Sequence, residues 1–142
     1  MLALRSTQSD LLHESWAERI VPVALGYARR CHAQALTGLD EHEREHRVTV
    51  ALERGWAYGL RSDRARIAFV GLMLELGPDF DRHPAFAERL CEPIVDGDED
   101  RFIRRLWDEV SDEAWIEAWS TPHGDGWTRR ESLPTTAMGF IS

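Results

Sequence analysis

The feature that most constrains the fold is an apolar stretch in the middle of the chain, too long for an ordinary strand. Between Ile67 and Leu76 only Glu75 is charged, and the apolar residues show no two-residue alternation. Ser62 before the stretch can cap a helix, and Gly77 after it can end one. A membrane span would need about 20 apolar residues, which this segment lacks. The pattern predicts a central helix that other helices surround.

The remaining segments also favour helices, so we expect an all-α, single-domain bundle of five to seven helices around the central one. The 142 residues suit one domain. Pro22 either kinks the first helical region or opens a second helix there. Residues 1–120 form the predicted helical domain. Proline and glycine among serine and threonine predict an extended or partly disordered tail over residues 121–142. The predicted helical regions outside the central helix are residues 9–36, 40–58, 84–93, 98–110 and 111–119.

Charge and cysteine content restrict the partners and the compartment. The net charge is −8, and arginines alternate with acidic residues, so no basic surface for nucleic acid is expected. The first residues lack a cationic leader followed by a sustained apolar run, which predicts a cytoplasmic protein with no membrane partner. Cys31 and Cys91 are expected to stay unbridged in that compartment.

One motif matches that of zinc peptidases, H-E-x-x-H, at His42, Glu43 and His46. On a helix the two imidazoles would share a face and could bind one zinc ion, with Glu43 as general base. A third ligand would have to be Glu75 or His83. The motif opens a helix within a strongly polar run, where no dry cavity is expected, so we interpret it as a solvated helix start. We therefore predict no metal, no cofactor and no catalytic residues.

Carboxylates near the end of the central helix invite two further interpretations. Glu75 either pairs with an arginine, for which Arg54 and Arg105 are candidates, or lies on an exposed edge. Asp79 and Asp81 are expected to cap the following helix rather than to bind a cation.

Six tryptophans are unusual in a chain of this size, and four of them, Trp107, Trp115, Trp119 and Trp127, lie in the last third. Such side chains either fill the core or form binding hot spots, because each buries a large rigid area. The residues that we predict to bind a partner are Trp115, Trp119 and Trp127, followed by Asp79, Phe80 and Asp81.

Residues 50–84 resemble a group of small helical proteins encoded beside type VI secretion spike, adaptor and effector genes. The resemblance lies in W-A-Y-G-L at residues 56–60, S-D at 62–63, L-M-L-E-L-G-P-D-F-D at 72–81 and H-P at 83–84. It implies a non-enzymatic accessory role, such as helping an adaptor or chaperone to deliver a toxic effector, with that adaptor or effector as the protein partner. The resemblance implies no catalytic residues in this chain.

The leading hypothesis is thus a protein-binding accessory factor of the adaptor or co-chaperone type for type VI effector delivery. One alternative is an immunity protein that binds and neutralises a toxic effector with its acidic residues. The other is a small zinc-dependent hydrolase that uses His42, Glu43 and His46.

Overall fold

In the computed structural model of the protein, residues 19–120 and Trp127 are described, and they form an all-α fold. This part of the chain contains six α-helices and no strand, so the predicted helical bundle is confirmed. The helices are α1 (described over residues 19–31), α2 (Glu41–Ala57), α3 (Asp63–Leu76), α4 (Pro84–Leu90), α5 (Glu99–Glu109) and α6 (Asp112–Ser120).

Helix α3 is the predicted central helix. The Ser62 hydroxyl caps its start by accepting from the Ala65 N–H, and Gly77 ends it with a φ of 95°. Phe69 and Met73 are completely buried. Helices α2, α5 and α6 all contact α3, which explains why its sequence is apolar on nearly every side.

Helix α2 packs most extensively against α3. Its start is capped by Asp40, whose carboxylate accepts from the Glu43 N–H at 2.8 Å. Its buried face includes Val48, Ala51 and Leu52, which follow the three- and four-residue spacing of one side of a helix.

Helix α1 contributes a narrow apolar stripe to the core through Ile20, Ala24 and Ala28. Pro22 lies inside this helix, since residues 19–21 are already helical, so it does not open a new one. A short 3-10 helix, Ala33–Leu36, follows and buries Leu36.

The connection from α3 to α4 includes a second 3-10 helix, Phe80–Arg82. The expectation that Asp79 or Asp81 caps α4 is wrong, because the cap is His83, whose Nδ1 accepts from the Ala85 N–H. Asp79 makes no side-chain capping bond to the 3-10 helix either.

Side chains also cap the starts of α5 and α6. Asp98 caps α5 by accepting from the Arg101 N–H at 3.0 Å, and the Ser111 hydroxyl accepts from the Ala114 N–H at the start of α6. The predicted tail lies outside the described residues except for Trp127. Across residues 19–120, no helix is both long and apolar enough to cross a membrane.

Candidate functional site

Helix α6 turns its small residues inward and its large apolar residues outward. Ala114 and Ala118 are buried, at 6% and 4% exposure, whereas Ile116 and Trp119 are 61% and 66% exposed. Helix α6 contacts α3, and the two alanines allow a close approach between such helices. The largest apolar side chains of α6 are therefore left on the surface.

Trp107 of α5 extends this exposed surface. Its ring stacks on Trp115 with a centroid separation of 4.4 Å and an interplanar angle of 21°, yet Trp107 remains 61% exposed. Trp119 follows Trp115 by four residues on α6, which places the two side chains next to each other. We call the surface of Trp107, Trp115, Ile116 and Trp119 the aromatic face.

Contacts with α5 and with Phe86 hold Trp115, the most buried ring of the aromatic face, in place. Trp115 Nε1 donates to the Leu106 carbonyl at 3.2 Å, which fixes the ring between α5 and α6. Phe86 meets the Trp115 ring edge-on at 5.1 Å, and Phe80 lies beyond Phe86 at 5.5 Å. Edge-to-face packing of this kind is favourable for aromatic pairs. Because Trp115 is held in this way, it presents Trp107 to solvent in a defined position.

Acidic side chains border the aromatic face. Asp108, Asp112 and Glu113 are exposed and form no ion pair within the described part of the chain. Asp112 and Glu113 precede Ile116 by four and three residues, so both lie beside it on α6. Helix α6 carries three acidic residues and no basic one. The α6 side of the border is therefore negative. On α5, the exposed Arg104 precedes Trp107 by three residues, and Asp108 lines an open pocket together with Arg104 and Arg105.

Two neighbouring carboxylates already have partners. Glu117 accepts from His83 Nε2 at 2.8 Å. Glu109 is hydrogen-bonded by Arg105, and this bond lowers the pKa of the Glu109 carboxyl and raises the pKa of Arg105. Both carboxylates therefore already have a hydrogen-bond partner within the chain.

The second group of predicted binding residues lies mostly in the interior. Phe80 is 3% exposed and Asp81 is completely buried, while Asp79 is exposed. Asp81 Oδ2 accepts from Arg54 Nη1 at 3.1 Å and from the Tyr58 hydroxyl at 2.8 Å. The carboxylate of Asp81 thus holds the connection between α3 and α4 against α2, and it has no surface to offer a partner.

Trp127 is also buried, at 7% exposure, and it packs on α2. Its carbonyl accepts from His46 Nε2 at 2.6 Å, and the Arg47 guanidinium lies 5.0 Å above its ring. The predicted binding residue Trp127 therefore makes its contacts within the chain, whereas Trp119 and part of Trp115 lie on the aromatic face.

The H-E-x-x-H motif occupies the first turns of α2 beside an open pocket of about 400 Å³. A carbonyl only accepts hydrogen bonds, so His46 Nε2 must carry its proton when it binds Trp127, and it cannot ligate a metal in that state. The carboxylate of Glu43 accepts from Arg47 at 3.1 Å. No group of three or more metal-ligating side chains occurs among residues 19–120.

Glu75 pairs with a histidine, so the expectation that Arg54 or Arg105 is its partner is wrong. His32 Nδ1 donates to Glu75 Oε1 at 2.7 Å, and the Glu75 side chain is 46% exposed, as the alternative of an exposed edge required. The Tyr27 hydroxyl lies 3.4 Å from His32 Nε2. Burial, and secondarily the nearby Cys31, raise the pKa of the Tyr27 phenol above its ordinary value.

Sequence patterns gave no signal for a second buried cation, Arg66 of α3. Its Nε and Nη2 donate to the Leu52 carbonyl at 3.2 and 2.7 Å, and its guanidinium lies 5.3 Å from the centroid of the Trp56 ring. Burial is the main cause that lowers the pKa of Arg66 to about 10. The group therefore keeps its charge at neutral pH and ties α3 to the backbone of α2.

Comparisons with protein-family models, with curated proteins and with solved structures found no match to this chain.

Proposed function

We propose that this protein is a non-enzymatic accessory factor that binds another protein through its aromatic face. The observation that carries the proposal is the exposure of Trp107, Ile116 and Trp119, all above 60%, on two adjacent helices. Tryptophan is over-represented among the residues that dominate binding energy, because it buries a large rigid area. A helix with alanine inside and tryptophan outside gains its largest burial only when a second protein covers it.

The arrangement of the face also suits binding rather than catalysis. The aromatic face presents no nucleophile or histidine, and its most buried ring, Trp115, is held by the Leu106 carbonyl and by Phe86. A preorganised aromatic surface loses little side-chain freedom on association, which favours affinity. The resemblance of residues 50–84 to accessory proteins of type VI secretion clusters supports a secretion adaptor or effector as the partner.

Co-purification tests this proposal directly. The protein is produced together with the products of its neighbouring genes, purified without chelator and measured by native mass spectrometry. We expect a defined complex with an adaptor or effector. Trp119→Ser should abolish the complex, because it removes the most exposed aromatic ring of the face.

A matched variant distinguishes the aromatic face from general surface hydrophobicity. Val23 on α1 is 59% exposed, so Val23→Ser changes an equally exposed apolar residue on another helix. We expect Val23→Ser to leave the complex intact. Equal loss from both variants, or an unchanged complex with Trp119→Ser, would contradict binding through the aromatic face.

A further inference from the structure

The aromatic face has features that specify the kind of partner segment it accepts. Ile116 and Trp119 supply the apolar contact, while Asp112 and Glu113 lie beside Ile116 without an ion pair within residues 19–120. Asp108 on α5 lies among Arg101, Arg104 and Arg105, so the acidic edge of the face is the one on α6. An apolar surface with an acidic edge is complementary to a segment that combines apolar anchors with positive charge along that edge.

Helix α6 also determines the conformation that a partner can use. The backbone N–H and C=O groups of a helix interior are already paired, so α6 offers side chains only and cannot accept an added strand. Side-chain ridges of one helix pack into the grooves of another. The occupant that fits is therefore a helix whose apolar residues recur every three or four positions.

We propose that the aromatic face binds a cationic amphipathic helix of a partner protein, with Arg or Lys residues against Asp112 and Glu113. This inference rests on the proposed function, since it names the partner surface that the same face recognises. A second copy of this chain fits poorly, because its own face would bring the same acidic border and the chain already carries a net charge of −8.

Two designed peptides serve as probes. Each has about 18 residues, long enough for an isolated amphipathic helix, and both share one leucine face. One peptide carries lysine on its polar face and the other carries glutamate. Binding is measured by fluorescence anisotropy of a label on the peptide. We expect the lysine peptide to bind at least about fivefold more tightly, and this preference should shrink as salt screens the charges.

Charge-neutralised variants locate the preference on the protein. The double variant Asp112→Asn/Glu113→Gln should remove most of the preference for the lysine peptide. The matched control Glu45→Gln/Asp96→Asn removes the same charge from α2 and from the loop before α5, and it should keep the preference. Thermal unfolding of both double variants confirms that α6 stays folded when its first-turn acids become amides. Trp119→Ser should weaken the binding of both peptides, since both use the same leucine face.

The outcomes separate this inference from the proposed function. Equal binding of both peptides, or equal loss of preference in both double variants, would overturn the cationic partner. The natural partner could still co-purify through Trp119 in that case, and the proposed function would stand alone. Dimerisation that Trp119→Ser abolishes, measured by sedimentation equilibrium, would assign the face to a second copy and overturn the inference as well.

Discussion

At the scale of single residues, a buried ion pair fixes the connection that follows α3 together with the buried ring of Phe80. Arg54 Nη1 donates both to the Pro78 carbonyl at 2.8 Å and to Asp81 Oδ2 at 3.1 Å. The Tyr58 hydroxyl also donates to Asp81 Oδ2. Side-chain exposures of 4% for Arg54 and 0% for Asp81 place this ion pair out of water. Loss of one partner leaves the other charge buried, which is far costlier than loss of an exposed pair.

Asp81→Ala should therefore destabilise the protein strongly. We expect a loss of about 3–5 kcal/mol in the free energy of unfolding, because Arg54 would lose its buried counter-ion. Tyr58→Phe removes one hydrogen bond and should cost about 1 kcal/mol. Urea unfolding followed by circular dichroism measures both values.

Asp79→Ala is the control for that series, since Asp79 is exposed and lies in the same connection. It should change the free energy of unfolding by less than about 1 kcal/mol. A loss for Asp81→Ala no larger than for Asp79→Ala would show that the buried pair contributes little.

Gly71 and Gly55 lie inside helices and give a second test at this scale. A Cβ at Gly71 would come within 2.7 Å of His32 Nε2, whereas one at Gly55 would meet its neighbours at 3.5 Å or more. Alanine in place of a helical glycine gains about 0.5–1 kcal/mol from lower backbone entropy in the unfolded chain. We expect Gly55→Ala to keep much of this gain. Gly71→Ala should lose it, because the added methyl group would push the His32 ring away from its hydrogen bond with Glu75.

The double variant His32→Ala/Gly71→Ala checks the cause. Without the imidazole ring, the added methyl group meets no clash with His32, so Gly71→Ala should become stabilising relative to His32→Ala alone. Urea midpoints of the four proteins give the coupling. A Gly71→Ala effect that is independent of His32 would contradict the predicted contact.

At the scale of elements, α6 separates its contribution to the fold from its contribution to binding. Ala114 and Ala118 face the interior, and Ile116 and Trp119 face solvent. Except for Trp115, which packs against α5 and Phe86 and also belongs to the aromatic face, the residues that hold α6 in place are therefore different from those that a partner would contact. Substitutions on the two sides of this helix should have opposite consequences for stability and association.

Ala118→Leu should destabilise the protein by about 1–3 kcal/mol, because the larger side chain does not fit the close contact that Ala118 makes. Trp119→Ser should change the free energy of unfolding by less than about 0.5 kcal/mol, as is usual for exposed positions, while abolishing the complex with the partner. Thermal unfolding and native mass spectrometry on the same samples measure the two effects. A large loss of stability from Trp119→Ser would indicate that the ring serves the fold.

At the scale of the whole molecule, local patterns predicted the helices but not the partners of the charged residues. Ser62 and Gly77 mark the ends of α3 because caps act within one turn. His32 and Glu75 are separated by 43 residues, and Arg54 and Asp81 by 27, so only the packed fold brings these groups together. No periodicity in the sequence encodes such contacts.

The candidate site was also only partly predictable, because local spacing does not show how the helices pack. The spacing of Ile116 and Trp119 shows that they share a face of a helix, but it does not show which face packs inward. The small alanines decided that question, since they let α6 approach its neighbour closely. Trp127 was expected to bind a partner, but it lies against His46 and Arg47, a contact that its local sequence gives no reason to expect.

Deletion of the gene distinguishes a delivery factor from an immunity protein, since both use a complementary surface. A delivery factor acts before export, so its loss should abolish secretion of the partner effector without harming the producing cells. An immunity protein protects the producer, so its loss should cause self-intoxication while export continues. We expect the first result. Secretion is measured as the amount of effector in the culture medium, and harm is measured as the viability of the producing cells. Trp119→Ser should reproduce the deletion with the folded protein still present, because Trp119 belongs to the proposed binding surface and lies outside the core. Self-intoxication in both strains would instead assign the same face to inhibition of the toxin.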